Sequence, residues 1–169
     1  MLELSVIVPV YNMAKDGNLT YCINSLVRQT LQSMEIIAVD DASTDDSLKI
    51  LREFEKKYPG RVKAIASPEN RRQGGARNLG LREAQGRYIG FMDADDWVVE
   101  DLYERMLEVA KRTGADVVGT DMCRVYEHTM VPTQMQWKLS AFLWNIVIFL
   151  LTEQIFMAYH SKFQNKSHS

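Results

Sequence analysis

The sequence predicts an α/β fold in which a mostly parallel, Rossmann-like β-sheet is covered by helices on both faces. Short apolar runs alternate with amphipathic segments through most of the chain. Strands that are apolar on both faces belong to parallel sheets, whose crossover connections are helices. Acidic and aromatic residues also follow several of the apolar runs directly. Parallel sheets bind ligands beyond the carboxyl ends of their strands, so we expect a site at that edge.

Five strands are predicted in chain order. The first, Leu4 to Val8, is a β-rich run that Pro9 is expected to end. The second, Glu35 to Val39, ends in two aspartates. The remaining three are predicted over Val62 to Ala66, Arg87 to Met92 and Asp116 to Thr120.

Four helices are predicted between these strands. Leu19 to Leu31 has apolar residues near helical spacing. The second helix follows the cap-type residues 43–46 and buries a face that includes Leu51 and Phe54. The third and fourth are predicted over Arg72 to Gln85 and Glu100 to Arg112. These helices are expected to connect the parallel strands by right-handed crossovers and to cover both faces of the sheet.

The composition is that of an ordinary globular protein with one domain. The 169 residues are 46% hydrophobic and 25% charged, which is enough for a single core. The formal net charge of −2 argues against a nucleic-acid partner. Cys22 and Cys123 lie far apart, as expected of reduced thiols in a cytoplasmic protein. We expect no signal peptide, because Leu2 to Val8 is itself a predicted strand.

The character of the sequence changes after Val131. Leu139 to Leu151 is a run of thirteen residues without a charge, and residues 155–159 are apolar again. This run is shorter than the roughly 20 residues of a spanning helix unless Glu153 is tolerated within it. A packed or interfacial helix is therefore favoured over a membrane span. A segment foreign to the native domain is the third alternative.

The strongest functional signal is the acidic cluster after the fourth predicted strand. Asp93, Asp95 and Asp96 place three carboxylates within four residues. Like charges at this separation raise one another's pKa, and a divalent cation would relieve the repulsion. Mg²⁺ and Mn²⁺ commonly use one or two carboxylates together with phosphate oxygens. In the alternative interpretation, Asp96 caps a helix and the other two carboxylates are solvated.

Two other strand ends carry candidate ligand contacts. One of Asp40 and Asp41 is expected to accept a hydrogen bond from a nucleobase, while Ser43 to Asp45 cap the following helix. Pro9 presents Tyr11 just past the first strand, where its ring could stack on a base. Taken alone, Tyr11 would more often be a packing aromatic.

The start of the third predicted helix is the last candidate. Gly74 and Gly75 would let the backbone approach a ligand, and Arg71 and Arg72 would favour phosphate. The segment is neither a dinucleotide fingerprint nor a P-loop, and a solvated face is the alternative. The three histidines lack the spacing of metal ligands, and no serine or cysteine nucleophile motif is present.

Together, the motifs SVIVPVYN, IIAVDDASTDDS, ENRRQGGARNLGL and YIGFMDADDW resemble the family 2 inverting glycosyltransferases of GT-A fold. The likeness covers about residues 3 to 125, with the four motifs in the order of the family. It implies a nucleotide diphosphate sugar as donor, a UDP-sugar rather than a GDP- or dTDP-sugar, and Mn²⁺ or Mg²⁺ as cofactor.

The resemblance also implies roles for individual residues. The position matching Tyr11 stacks on the base, and that matching Asp41 binds the edge of the base. The position matching Asp93 lies near the ribose and phosphates, and that matching Asp95 ligates the metal. Arg71 is carried over as a base or phosphate contact. Pro9 and Asp40 complete the predicted binding residues.

The resemblance identifies no catalytic residue in this chain. Inverting transfer to the hydroxyl of a saccharide or lipid-linked acceptor needs a general base. In the family this is an acid beyond the Asp-x-Asp motif, in an acceptor-binding half. The only acid after position 130 is Glu153, whose context does not resemble that site. We therefore expect the acceptor half to be truncated or replaced.

The expected organisation has three parts. Residues 1–130 form the nucleotide-sugar-binding GT-A domain, residues 131–163 an apolar helical segment, and residues 164–169 a disordered tail. Residues 139–159 are expected to contact a membrane surface or a second copy of the chain, which would place the protein in the cytoplasm at the inner face of the membrane. The alternative function is a truncated, inactive nucleotide-sugar-binding domain that acts through this contact. A nucleotidyltransferase-like enzyme is weaker, because no glycine-rich loop follows the first strand.

Overall fold

A computed structural model of the chain describes residues 1–126, 129–133 and 156–159. A short 3-10 helix, Lys15–Gly17, precedes α1. The other elements, in chain order, are β1 (Leu4–Val10), α1 (Asn18–Val27), β2 (Met34–Asp40), α2 (Ser47–Lys57), β3 (Val62–Ala66), α3 (Arg72–Glu83), β4 (Tyr88–Phe91), β5 (Asp96–Val98), α4 (Leu102–Thr113), β6 (Asp121–Tyr126), β7 (Thr129–Thr133) and β8 (Phe156–Tyr159).

The main sheet has four parallel strands in the order β3-β2-β1-β4. In its register, Ile7 at the centre of β1 lies between Ile37 of β2 and Phe91 of β4. Strands β1 and β2 are buried along their whole length. This burial is why they read as continuous apolar runs in the sequence. The predicted α/β fold is confirmed.

Helices cover both faces of this sheet. One face of β1, including Val6 and Val8, packs in a large core with residues of α1, α2 and α4. The opposite face, including Ile7, packs with Ala76 of α3. The chain adds β2 and β3 on one side of β1 and then returns to add β4 on the other. Because crossovers keep one hand, this reversal places α3 on the opposite face and opens a crevice between the ends of β1 and β4.

Strand β1 continues through Pro9 to Val10, so the prediction that Pro9 ends it is wrong. Pro9 lies opposite Val39 in the register with β2. On the other side, the pairing of β1 with β4 ends at Ile7 and Phe91. Proline at this position therefore removes no hydrogen bond from the ladder, because β4 has already ended.

The fifth predicted strand, Asp116 to Thr120, is also wrong in position. Helix α4 ends at Gly114, which has a φ of 68°. Residues 115–120 then line an apolar groove beside β4 without pairing to it. The strand forms only at Asp121, where β6 finds β7 as an antiparallel partner and β8 as a parallel one. A β-rich sequence needs a partner strand before it forms a ladder.

Strands β5 to β8 form a second sheet in the order β5-β8-β6-β7. Residues 131–133 and 156–159 are thus strands, and the helix expected over residues 131–163 is wrong at these positions. Short apolar runs do not distinguish a strand from a helix in the sequence. The rest of that segment, the run Leu139 to Leu151 and the tail 164–169 lie outside the described residues. No helix among the described residues is long and apolar enough to cross a membrane.

Candidate functional site

A cleft of about 510 Å³ lies at the crevice between β1 and β4. Strand ends supply one wall, and the first turn of α3 supplies the other. Its volume is within the usual range of small-molecule sites. The lining residues are Pro9, Val10, Tyr11, Met13, Asp41, Asn70, Arg72, Gln73, Ala76, Asp93, Ala94 and Asp95.

Tyr11 stands at the mouth of this cleft on a firmly held loop. The next residue, Asn12, has a φ of 53°, in the left-handed region. Its amide donates to Ser43 Oγ at 3.0 Å, and its Oδ1 accepts from the Thr44 amide at 2.8 Å. The Tyr11 side chain remains 48% exposed. The loop therefore presents an aromatic ring to solvent on a fixed backbone.

The N-cap of α2 is Asp46, whose side chain makes no capping hydrogen bond, so the prediction that Ser43 to Asp45 cap this helix is wrong in position. Of those three residues, only Asp45 bonds to the helix: its Oδ1 accepts a hydrogen bond at 2.9 Å from the amide of Ser47, the first residue of α2. Its other oxygen accepts from the Ala14 amide at 2.9 Å. Ser43 and Thr44 bond to Asn12 and not to the helix. Residues 43–45 therefore also order the loop that carries Tyr11.

The structure separates the roles of Asp40 and Asp41. Asp41 lines the cleft while only 2% exposed, and its Oδ1 accepts from the Arg71 amide at 2.8 Å. Asp40 is equally buried, but it does not line the cleft. Its Oδ2 accepts from the Ser43 amide at 3.1 Å, and its Oδ1 has no partner among the described residues. Of the two candidates, only Asp41 is placed to face a ligand.

Asp93 is held by two side chains of α3. Gln73 Nε2 and Arg77 Nη2 each donate to Asp93 Oδ1 at 2.7 Å. The Arg77 guanidinium also lies 5.7 Å from the centre of the Phe91 ring. Neither Gln73 nor Arg77 was predicted from the sequence as a partner of Asp93. Their i,i+4 spacing, which places them on one face of a helix, was the available signal.

Asp95 and Asp96 occupy opposite sides of the acidic loop. Asp95 lines the cleft and forms no hydrogen bond or ion pair with the described residues. Asp96 begins β5 and is buried, so the interpretation of Asp96 as a helix cap is wrong. Burial, and next the carboxylates of Asp95 and Asp93, raise the pKa of Asp96 to about 7. Behind the loop, the buried Cys22 thiol donates to the Asp93 carbonyl at 3.6 Å.

These contacts change the electrostatic argument made from the sequence. The charge of Asp93 is compensated by Arg77, and burial favours the neutral form of Asp96. The repulsion within the cluster is therefore smaller than that of three free carboxylates. Asp95 is left as the uncompensated carboxylate at the cleft.

The residues of the cleft fit a cation that is bound together with a ligand. Within the part of the chain that the structure describes, no group of three or more His, Cys, Asp or Glu side chains could hold a metal. Asp95 can supply one carboxylate ligand. The remaining ligands would be phosphate oxygens and water, which is a common arrangement for Mg²⁺. The site therefore fits Mn²⁺ or Mg²⁺ accompanied by a diphosphate.

The two arginines at the start of α3 are placed differently with respect to the cleft. The Arg71 guanidinium lies 3.2 Å from a carboxylate oxygen of Glu69, and Arg71 is not among the residues that line the cleft. Its contribution is the amide that fixes Asp41. Arg72 lines the cleft instead and has a φ of 61°. Arg72 is therefore the arginine of this segment that lies at the cleft, and a ligand contact by Arg71 stays a prediction.

Comparison with known proteins decides the family. The model of glycosyl transferase family 2 matches residues 5–165. The chain belongs to this family. The uncharacterised glycosyltransferase EpsJ of Bacillus subtilis is 38% identical over 138 residues, which are 79% of this chain and 38% of EpsJ. The poly(ribitol-phosphate) beta-glucosyltransferase of Bacillus spizizenii is 36% identical over 69% of this chain and 18% of its own length. The chain thus spans well under half the length of these relatives.

Solved structures with 30% sequence identity show the same architecture. Residues 1–349 of TarS of S. aureus, in complex with UDP-GlcNAc, superpose with a TM-score of 0.68 and 30% identity, covering 78% of this chain and 37% of that TarS fragment. Its complex with UDP gives a TM-score of 0.67 at the same identity. The expected GT-A fold and the expected glycosyltransferase family are confirmed.

Proposed function

We propose that this protein transfers a sugar from a UDP-sugar to an acceptor hydroxyl, with inversion and with Mn²⁺ or Mg²⁺ at Asp95. One observation carries the proposal. The exposed ring of Tyr11, the buried carboxylate of Asp41 and the uncompensated carboxylate of Asp95 line a single cleft at the β1/β4 crevice. The ring would stack on the base, the Asp41 carboxylate would bind the polar edge of the base, and Asp95 would bind the cation that accompanies the diphosphate.

The choice of a base with an imide N–H rests on Asp41, and the choice of uracil among such bases rests on the TarS complexes. Asp41 Oδ1 is engaged by the Arg71 amide, so the other oxygen remains to accept a hydrogen bond from a ligand. A carboxylate accepts but does not donate. Uracil offers an imide N–H at its edge, as thymine and guanine also do, whereas cytosine presents an acceptor at that position. The complexes of TarS with UDP and UDP-GlcNAc support this choice.

The diphosphate end is assigned to Asp95 and the start of α3. The N-terminal amides of α3 and the side chain of Arg72 favour negative charge. Asp95 would ligate the cation, which when bound would supply Lewis-acid stabilisation of the departing diphosphate. The protein's own contribution is to hold the donor between this end and Tyr11, so that the sugar has a fixed orientation.

The general base and the acceptor are not assigned to residues here. The acids of the described cleft are Asp41, Asp93 and Asp95, and each has another task. We propose that the base is supplied from outside the described residues, where Glu153 also lies. The acceptor is proposed to be a hydroxyl of a saccharide or a lipid-linked saccharide.

A second candidate is a nucleotide-sugar-binding protein without turnover. It is favoured by the absence of an uncommitted acid among the described lining residues. In this case residues 139–159 would contact a membrane surface at the cytoplasmic face or a second copy of the chain. Analytical ultracentrifugation with and without anionic vesicles tests that contact. Release of free sugar or transfer of sugar from a UDP-sugar would instead favour the enzyme.

The proposed function is tested by titrating UDP into the protein with and without Mn²⁺. We expect binding that strengthens when Mn²⁺ is present. Asp95→Ala should remove the gain in UDP affinity that Mn²⁺ gives. It should leave the fold intact, because the Asp95 side chain bonds to none of the described residues. Glu108→Ala, at an exposed position of α4, is the control. No binding at millimolar UDP would remove the proposal, and metal-dependent binding retained by Asp95→Ala would remove the metal assignment.

A further inference from the structure

We propose that Gln73 and Arg77 are positioning residues that hold Asp93 as the acceptor for the ribose hydroxyls of the donor. This inference rests on the proposed function. It concerns the contact of the two side chains of α3 with the carboxylate of Asp93.

The two donors converge on one oxygen of Asp93. Gln73 Nε2 and Arg77 Nη2 both lie 2.7 Å from Oδ1, whereas Oδ2 accepts no hydrogen bond from a described residue. The amide donor of Gln73 and the charged donor of Arg77 share one oxygen, and together they fix the rotation of the carboxylate. Because Asp93 lines the cleft, its second oxygen remains available to a ligand.

Arg77 is itself held in place. Its guanidinium lies against the Phe91 ring, and its Nε is buried without a partner among the described residues. With its Nη2 bonded to Asp93 Oδ1 and its plane beside the Phe91 ring, the guanidinium acts on Asp93. In this proposal Asp93 contacts the ligand directly, and Arg77 acts by orienting Asp93.

The chemistry of Asp93 then follows from its surroundings. Its charge is compensated by Arg77, so a divalent cation is drawn more strongly to Asp95. A compensated carboxylate with one open oxygen remains a good acceptor for hydroxyl groups. In a nucleoside diphosphate, the hydroxyls between the base at Tyr11 and the diphosphate at Asp95 are those of the ribose.

The test compares two ligands, UDP and the analogue without ribose hydroxyls, 2′,3′-dideoxy-UDP, both titrated with saturating Mn²⁺. The parent protein should prefer UDP. Arg77→Gln and Gln73→Ala should each bind UDP roughly tenfold more weakly than the parent, because each disturbs a charge-assisted hydrogen bond to Asp93. Both variants should bind the dideoxy analogue as tightly as the parent does. Arg77→Lys, which retains the charge, should restore part of the preference.

Arg82→Gln, in the last turn of the same helix, is the matched control and should bind both ligands like the parent. Thermal unfolding checks that each variant is folded, and the exposed Gln73 provides a test even where Arg77→Gln does not fold. Equal weakening of both ligands would overturn the inference, because it indicates a direct phosphate contact or a general structural role. If the parent binds no UDP, the proposed function itself fails.

Discussion

At the scale of single residues, Tyr11 is a large aromatic side chain that the fold leaves in solvent. Its loop is fixed by hydrogen bonds from the segment before α2, so the exposed ring has a defined position. A ring presented in this way loses little conformational freedom when a base stacks on it. Its exposure in the free protein is therefore what a base-binding role requires.

Tyr11→Ala is expected to weaken UDP binding by about 1–3 kcal/mol, the usual worth of stacking a base on an aromatic ring. Tyr11→Phe should retain most of the affinity, because the ring face remains. The measurement is isothermal titration with saturating Mn²⁺. Tyr21→Ala is the control, since Tyr21 is also exposed but does not line the cleft. Unchanged affinity in Tyr11→Ala would contradict stacking.

The three neighbouring aspartates have three different environments in the folded protein. Asp93 is compensated by Arg77, Asp96 is buried with a pKa raised to about 7, and Asp95 faces the cleft. The sequence shows only that three acids lie close together. Their division of roles depends on which direction each side chain takes from the strand end.

At the scale of elements, the placement of α3 depends on a glycine. A Cβ added at Gly80 would lie 2.5 Å from Ile7 Cγ2 and 3.3 Å from Val39 Cγ2. Helix α3 therefore approaches the sheet more closely than any larger residue would allow. This close packing positions Arg72, Gln73 and Arg77 over the ends of β1 and β4.

Gly80→Ala is expected to lower the free energy of unfolding by about 1–3 kcal/mol, because the added methyl group overpacks a β-branched side chain. It should also weaken UDP binding, since α3 would shift at the cleft. Gly74→Ala in the same helix meets no atom within 4 Å and should be neutral or stabilising by about 0.5–1 kcal/mol. Urea unfolding measures both. Equal stability of the two variants would show that the contact at Gly80 does not constrain the helix.

Helix α2 is fastened to β3 by Glu55. Its Oε1 accepts from the Ala64 amide at 2.9 Å, and its Oε2 accepts from Arg52 at 2.7 Å. The Ala64 amide first, and then Arg52, hold the pKa of Glu55 below its usual value of 4.5. A lowered pKa means that this contribution to stability is present above pH 4.5 and is lost as the pH falls through the folded-state pKa.

Glu55→Gln should therefore lower the free energy of unfolding at pH 7 by less than about 1 kcal/mol, because the ion pair is partly exposed. The difference from the parent should shrink below pH 4.5, where the carboxyl group of the parent becomes protonated. Urea unfolding across this pH range measures the effect. The control is Glu53→Gln at an exposed position of the same helix. A difference that did not depend on pH would indicate lost packing rather than lost charge.

At the scale of the whole molecule, the cleft is assembled from parts that are distant in the chain. The residues after β1, after β2 and after β4 meet the start of α3 only because the four strands are parallel and the chain reverses direction after β3. A ligand that binds this cleft therefore binds the folded protein and not the unfolded chain. Ligand binding and global stability are linked for that reason.

UDP with Mn²⁺, at about 100 times the dissociation constant, should raise the free energy of unfolding by about 2.7 kcal/mol. The measurement is thermal or urea unfolding with each ligand at matched concentration. CDP should stabilise less, because cytosine offers Asp41 no imide N–H. Equal stabilisation by CDP and UDP would count against the assignment of Asp41 to the base.

Much of the architecture and the outline of the site follow from the sequence by itself. The first four strands, the four helices and the positions of Tyr11, Asp41, Asp93 and Asp95 were predictable, because buried parallel strands have a distinctive apolar pattern and polar motifs mark their ends. These signals are local: each is contained in a single run of roughly 4 to 18 residues, and no tertiary contact is needed to recognise it.

Only the tertiary structure decided the remaining features. It turned Asp41 and not Asp40 toward the cleft, assigned Gln73 and Arg77 to Asp93, moved the fifth strand to Asp121 and made residues 156–159 a strand. The physical reason is the same in each case. Side-chain direction at a strand end, ion pairing between distant segments and β-ladder formation all depend on a partner that the local sequence does not contain.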